Sequence, residues 1–181
     1  KYVSGEMCFT LNDHWAYGQN DYNYKSPAEL IKTLCRCHKA GANLLLNIGP
    51  DGDGGIPEIM SGILKVIGRW IEQTGGAIYD GKPCGIAGAG EDFGLKTEDG
   101  RVYLFFFDLP IVGNESVTVD TSKVGPRAFT GVHDKVRAVR WLDNGRELAF
   151  AQDADTGLLG IQPTGYPYGS NMVVRVAELL F

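Results

Sequence analysis

Two strand-like stretches, each followed by a helix, constrain this chain more than any other feature. The first, Met7-Cys8-Phe9-Thr10-Leu11-Asn12, alternates in character and has Glu6 at its head. The second, Asn43-Leu44-Leu45-Leu46-Asn47-Ile48, is apolar on both faces, as expected of a strand buried in a parallel sheet. Strand–helix units in this order build parallel α/β barrels or doubly wound sheets. Two units close neither, so the fold reads as one met part-way through.

The helices carry their own signals. Ser26-Pro27-Ala28-Glu29 is a strong helix start: Ser26 can cap, Pro27 suits the first turn and Glu29 completes a capping box. Leu30, Ile31, Leu34 and Cys37 then form an apolar face that Gly41 terminates. Ile56-Pro57-Glu58 opens a second helix with Ile59, Ile63, Val66, Ile67, Trp70 and Ile71 as its expected buried stripe, ending at Gly75-Gly76.

After Tyr79 helical periodicity gives way to short strands. The candidates are 93–97, 101–108, 116–119, 136–141, 147–151, 157–162 and 171–179, with hairpin signals at Asp99-Gly100 and Asn144-Gly145. Seven short strands in about a hundred residues fit a β-sandwich, and the boundary is expected where Gly and Pro cluster, near 79–86.

Composition excludes several classes. A net charge of −5 and a pI near 5.2 argue against nucleic-acid binding, which needs a basic footprint. No apolar run is long enough to span a membrane, and no secretory leader is read at Lys1. Cys8, Cys35, Cys37 and Cys84 fit no zinc spacing and read as free, partly buried thiols. The turn at Asn47-Ile48-Gly49-Pro50-Asp51-Gly52-Asp53-Gly54-Gly55 starts like a calcium loop, but Gly62 stands where the closing Glu would be. It reads as a tight glycine turn; neither a metal nor a cofactor is expected.

For chemistry, Glu6 leads, since a carboxylic acid beside a barrel strand can protonate a leaving group; the alternative is an ordinary surface glutamate. The loop 12–24 holds Trp15 and three tyrosines with His14, Asp13 and Asp21, and is either a binding surface or a packed loop shielding the core. His38, near a helix end, reads as a dipole partner. Without a G-x-S-x-G elbow, serine chemistry has no support.

Taken together, the runs Glu6-Met7-Cys8-x-Thr10-x-Asn12-x-x-Trp15-x-Tyr17, Tyr24-Lys25-Ser26-x-x-Glu29-Leu30-Ile31, Gly41-x-Asn43 through Gly54, Ile56-Pro57 and Gly76-Ala77-Ile78-Tyr79 resemble the α-L-fucosidase family of glycoside hydrolases. The resemblance covers residues 5–80 by order and spacing, and 85–181 by position and pattern. The sequence departs from the family at Gly5, often Trp there, and at Ala16, within the usual Trp-Gly-Tyr.

The resemblance implies an α/β plus all-β chain: residues 1–80 as the final βα units of a (β/α)8-like catalytic barrel, and 85–181 as an antiparallel β-sandwich. It implies retaining removal of terminal α-L-fucose from glycans by two carboxyl groups about 5–5.5 Å apart. Glu6 matches the residue that part of the family uses as acid/base, and Trp15 matches an aromatic near the sugar; His14, in the same loop, is a candidate substrate contact on the reading of the residues alone. The nucleophile is expected outside these residues. The implied partners are a fucosylated glycan and the missing barrel segment or a partner chain, with a homo-oligomer permitted. A secreted, periplasmic or lysosomal setting is implied as well. The other reading is a non-catalytic carbohydrate-binding or assembly module.

Overall fold

The computed structural model of the chain describes residues 5–117 and 124–181. The chain divides into two compact units, Lys1–Glu72 and Gln73–Phe181.

In the first unit, β1 (Gly5–Thr10) pairs in parallel with β2 (Ala42–Asn47), and α1 (Pro27–Lys39) connects them. Ser26 caps α1 as its sequence predicts, its Oγ accepting from the Glu29 N–H at 3.1 Å. Leu30, Ile31, Thr33, Cys35 and Cys37 are buried, and Gly41 leaves the helix at φ 71°. α2 (Glu58–Gln73) follows β2. Its buried stripe is Met60, Ile63, Ile67 and Trp70, so the expected stripe is rotated. Ile59 and Val66 are exposed, and Met60 takes the inner place, where its Sδ accepts from the Gly49 N–H at 3.4 Å. The expectation that β2 is covered on both faces is also corrected: Asn43 and Leu45 are exposed. The described part of this unit is thus a strand–helix–strand–helix segment with two parallel strands.

The second unit opens with a short helix, α3 (Ala77–Asp80). It then builds an eight-stranded antiparallel sheet. Its strands are β3 (Lys82–Gly88), β4 (Phe93–Lys96), β5 (Val102–Phe107), β7 (Arg127–Thr130), β8 (Ala138–Trp141), β9 (Ala149–Asp153), β10 (Leu158–Gln162) and β12 (Val174–Leu180), in the order β8-β12-β5-β4-β3-β7-β10-β9. A parallel pair of two-residue strands, β6 (Ile111–Val112) and β11 (Tyr166–Pro167), completes the set.

The expected β-sandwich takes the form of one sheet curled until its ends nearly meet. Arg140 bridges Glu147 between the end strands, and the Leu148 N–H donates to the Val139 carbonyl at 2.9 Å. The Asn144-Gly145 turn makes this seam, with Gly145 at φ 68°. Inside the curl Val102, Leu104, Phe106, Phe129, Val139, Trp141 and Leu159 form the core, and Phe106 meets Phe129 and Trp141 edge-on at 5.2 and 5.0 Å. β5 is buried on both faces: Phe105, on its other side, stacks on Phe93 at 4.6 Å.

β3 and β7 were not expected as strands. Pro83 and Gly85, the latter at φ 81°, break the alternation of β3 with a register shift against β4. Of the expected strand 116–119, Ser116 and Val117 are not in a strand, and 118–119 lie outside the described residues.

Candidate active site

Side chains alternate across a strand. Glu6, Cys8 and Thr10 therefore share one face of β1, and their register partners Asn43, Leu45 and Asn47 extend that face onto β2. The opposite face carries Met7, whose Sδ lies 3.7 Å from the Cys37 Sγ of α1. Glu6 thus stands on the face turned away from the covering helix. Its Oε2 accepts from the Asn43 Nδ2 at 2.8 Å, and its residue is exposed.

His14 and Trp15 lie in the loop beyond Thr10. The Asn47 Nδ2 donates to the Trp15 carbonyl at 2.9 Å, and the Leu11 N–H donates to the Asn47 carbonyl at 3.2 Å. Gly49 lets the loop approach: a Cβ there would sit 2.6 Å from the Ala16 carbonyl carbon. The loop is thereby held over the C-terminal end of β2, with Trp15 62% exposed. Lys25 supports it from below, donating to the Asn12 carbonyl at 2.8 Å and the Thr10 Oγ1 at 3.2 Å, with its ammonium 4.9 Å from the Phe9 ring centre.

Asp21 organises the loop. Its carboxylate accepts from the Asn23 N–H at 2.9 Å, the Asn12 Nδ2 at 2.9 Å and the Asp13 N–H at 3.4 Å, and His14 Nε2 lies 3.8 Å away. The Asn23 N–H above all holds the Asp21 carboxyl below its ordinary value, against partial desolvation; the Asp13 N–H, the Asn12 amide and His14 add to the lowering. A depressed carboxylate stabilises the fold above its unfolded pKa, about 3.9, and that contribution is lost as pH falls through the lower folded value. The amide signals of Asn23 and Asp13 should accordingly titrate together below about pH 4. A shared transition nearer neutrality would contradict this.

The structure separates the expected site residues into two groups. Glu6 and Asn43 lie near the start of the strands, and His14, Trp15 and Asp21 lie past their ends. Four residues of strand between Glu6 and Thr10 span about 13 Å. Sequence reading missed Asn43 and Asn47, although a polar residue at each end of an otherwise apolar run was the available signal. Asp51 ties up its own turn, accepting from the Asp53 and Gly55 N–H groups at 3.1 and 2.7 Å. Among the described residues the four cysteines are free; burial pushes the Cys35 and Cys37 thiols up and keeps them inert. Burial also lowers His38, so at neutral pH it is a weak helix-dipole partner.

Residues 3–76 match the family described as Alpha-L-fucosidase. An α-L-fucosidase of Dictyostelium discoideum is 33% identical over 111 residues, 58% of this chain and 24% of its own length. One from Branchiostoma floridae is 30% identical over 122 residues, 65% of this chain and 27% of its own length. The chain spans about a quarter of these relatives. Among solved structures, α-L-fucosidase isoenzyme 1 from Paenibacillus thiaminolyticus shares the fold over 99% of this chain and 40% of its own, with TM-score 0.77 and 24% identity. The Thermotoga maritima α-fucosidase does so over 98% and 39%, with TM-score 0.71 and 22% identity.

Proposed function

From a chain that belongs to the α-L-fucosidase family over residues 3–76, we propose a C-terminal portion of a retaining glycosidase that removes terminal α-L-fucose from glycans. Glu6 is its acid/base, Trp15 and His14 contact the sugar, and the nucleophile is supplied by barrel strands outside these residues. The observation that carries the reading is the face on which Glu6 stands. In a (β/α)8 barrel the helices lie outside and the opposite strand face lines the interior, and Glu6 occupies the face opposite α1. Barrel active sites lie at the C-terminal ends of the strands, where Trp15 and His14 stand, so the role of Glu6, nearer the start of β1, is the part of the proposal that its replacement tests most directly.

In this role the Glu6 carboxyl gives its proton to the leaving glycosidic oxygen as the fucosyl–enzyme forms. It then takes one from the water that attacks that intermediate. The Asn43 amide fixes the carboxyl's orientation. The 181-residue chain by itself should not hydrolyse a nitrophenyl α-L-fucoside, and the protein with a whole barrel should. Turnover by the short chain at the rate of the longer protein would overturn the proposal.

Met7, Leu45, Ile56, Ile59 and Val66 of the first unit are exposed, and among the described residues neither outer strand edge is paired. Such edges and apolar surface favour association. We assign them to the rest of the barrel, contributed by the same chain or a partner. Light scattering of the isolated chain should therefore give a mass above 19.7 kDa; a monodisperse monomer would contradict that assignment.

A further inference from the structure

The second unit holds a cleft of about 660 Å³ between β6, the β8–β9 turn and the β10–β11 segment, in the size range of small-ligand sites. Its lining is asymmetric in hydrogen-bonding capacity. Arg146 and Arg175 line it, and among the described residues no carboxylate does. Arg175 is committed elsewhere: it donates to both Asp143 oxygens at 3.0 and 2.9 Å and to the Thr164 and Gly165 carbonyls, while its guanidinium stacks 4.2 Å over Trp141. It forms a rigid floor. Arg146 is exposed, and among the described residues no acid pairs with its side chain.

The remaining polar groups are set in fixed directions. Asn144 Oδ1 accepts from the Arg146 N–H at 3.0 Å, which leaves its Nδ2 to donate. Thr164 Oγ1 accepts from the Trp141 Nε1 at 2.9 Å, which leaves its proton to donate. Gln162 Nε2 donates to the Val124 and Pro163 carbonyls, which leaves its Oε1 to accept. Val112, Val124, Pro163 and Pro167 supply apolar wall.

We propose that this cleft binds a carboxylate-bearing sugar of the uronic-acid type. A guanidinium matches a planar carboxylate with two parallel hydrogen bonds. The Asn144 and Thr164 donors and the Gln162 acceptor match ring hydroxyls, and the proline and valine walls match a sugar's C–H face. The site lies wholly in the second unit and does not depend on Glu6.

The test is an NMR titration of the isotope-labelled full chain with glucuronate, glucose and acetate at fixed ionic strength. Glucuronate should shift signals of Asn144, Arg146, Gln162 and Thr164 saturably, with glucose and acetate each weaker by at least about tenfold. Arg146→Ala should weaken glucuronate binding by at least about tenfold, and Arg146→Lys, which keeps the charge but loses the planar fork, should fall between. Because Arg146 is exposed, the spectra of both variants should otherwise match the parent. Absence of a saturable shift overturns the proposal. So does glucose or acetate binding as tightly as glucuronate, or unchanged affinity in Arg146→Ala.

Discussion

Replacing Glu6 by Gln in the protein that carries the whole barrel should lower kcat/KM on a fucosylated glycan by about 10²–10⁴-fold. Gln preserves the shape and can still accept from the Asn43 Nδ2 that reaches Glu6 at 2.8 Å, so the loss reports the proton rather than the fold. Two further signatures separate an acid/base from a binding residue. A nitrophenyl leaving group departs with little protonation, so the first step should suffer less on that substrate than on a glycan. Azide needs no general base, so it should restore turnover of the variant and give fucosyl azide with retained configuration, as two displacements require. Wild-type kinetics in Glu6→Gln would remove Glu6 from the chemistry altogether.

The second large effect concerns the floor of the second unit. Asp143→Ala should cost about 3–5 kcal/mol of stability, because it leaves the Arg175 charge buried with no carboxylate. Arg175 is 2% exposed and lies against Trp141 and Tyr166. Chemical denaturation measures the loss. The double variant Asp143→Ala/Arg175→Met should recover much of it, since an apolar side chain of similar length replaces the stranded guanidinium. Glu98→Gln, which breaks the surface pair with Lys82, should leave the midpoint unchanged and so serves as the control. Equal losses from Asp143→Ala and Glu98→Gln would show the buried pair to be no different from a surface one.

The parts legible in the sequence are those written in neighbouring residues. The Ser26 cap, the Gly41 exit and the turns at Gly100 and Gly145 depend on residues within four positions, and each forms as read. The Arg175–Asp143 and Arg127–Asp92 pairs join residues 32 and 35 apart, and no local pattern announces them. Met60 rather than Ile59 completes the buried stripe with Ile63, Ile67 and Trp70; both fit helical spacing, and the contact of Met60 with Gly49 in the loop after β2 is a tertiary one that periodicity does not reveal. In the candidate site Glu6, His14 and Trp15 are candidates named from the sequence, and the structure places them on β1 and in the loop after it. Their division between the two ends of the strands was not legible, because it depends on the β1–β2 register and on the Asn47–Trp15 hydrogen bond.

The position of β12 has a consequence for synthesis. Val174–Leu180 pairs on one side with β5 and on the other with β8, strands made some seventy and thirty-five residues earlier. As the chain emerges from the ribosome, β5 and β8 each have an open edge until residue 180 is released. The hairpins β4–β5 and β9–β10 can form in order of synthesis, but the curl cannot be joined before β12 is inserted. Folding of this unit therefore waits for β12 to emerge. A chain stopped before Val174 would expose two strand edges at once and become a target for chaperones or for self-association.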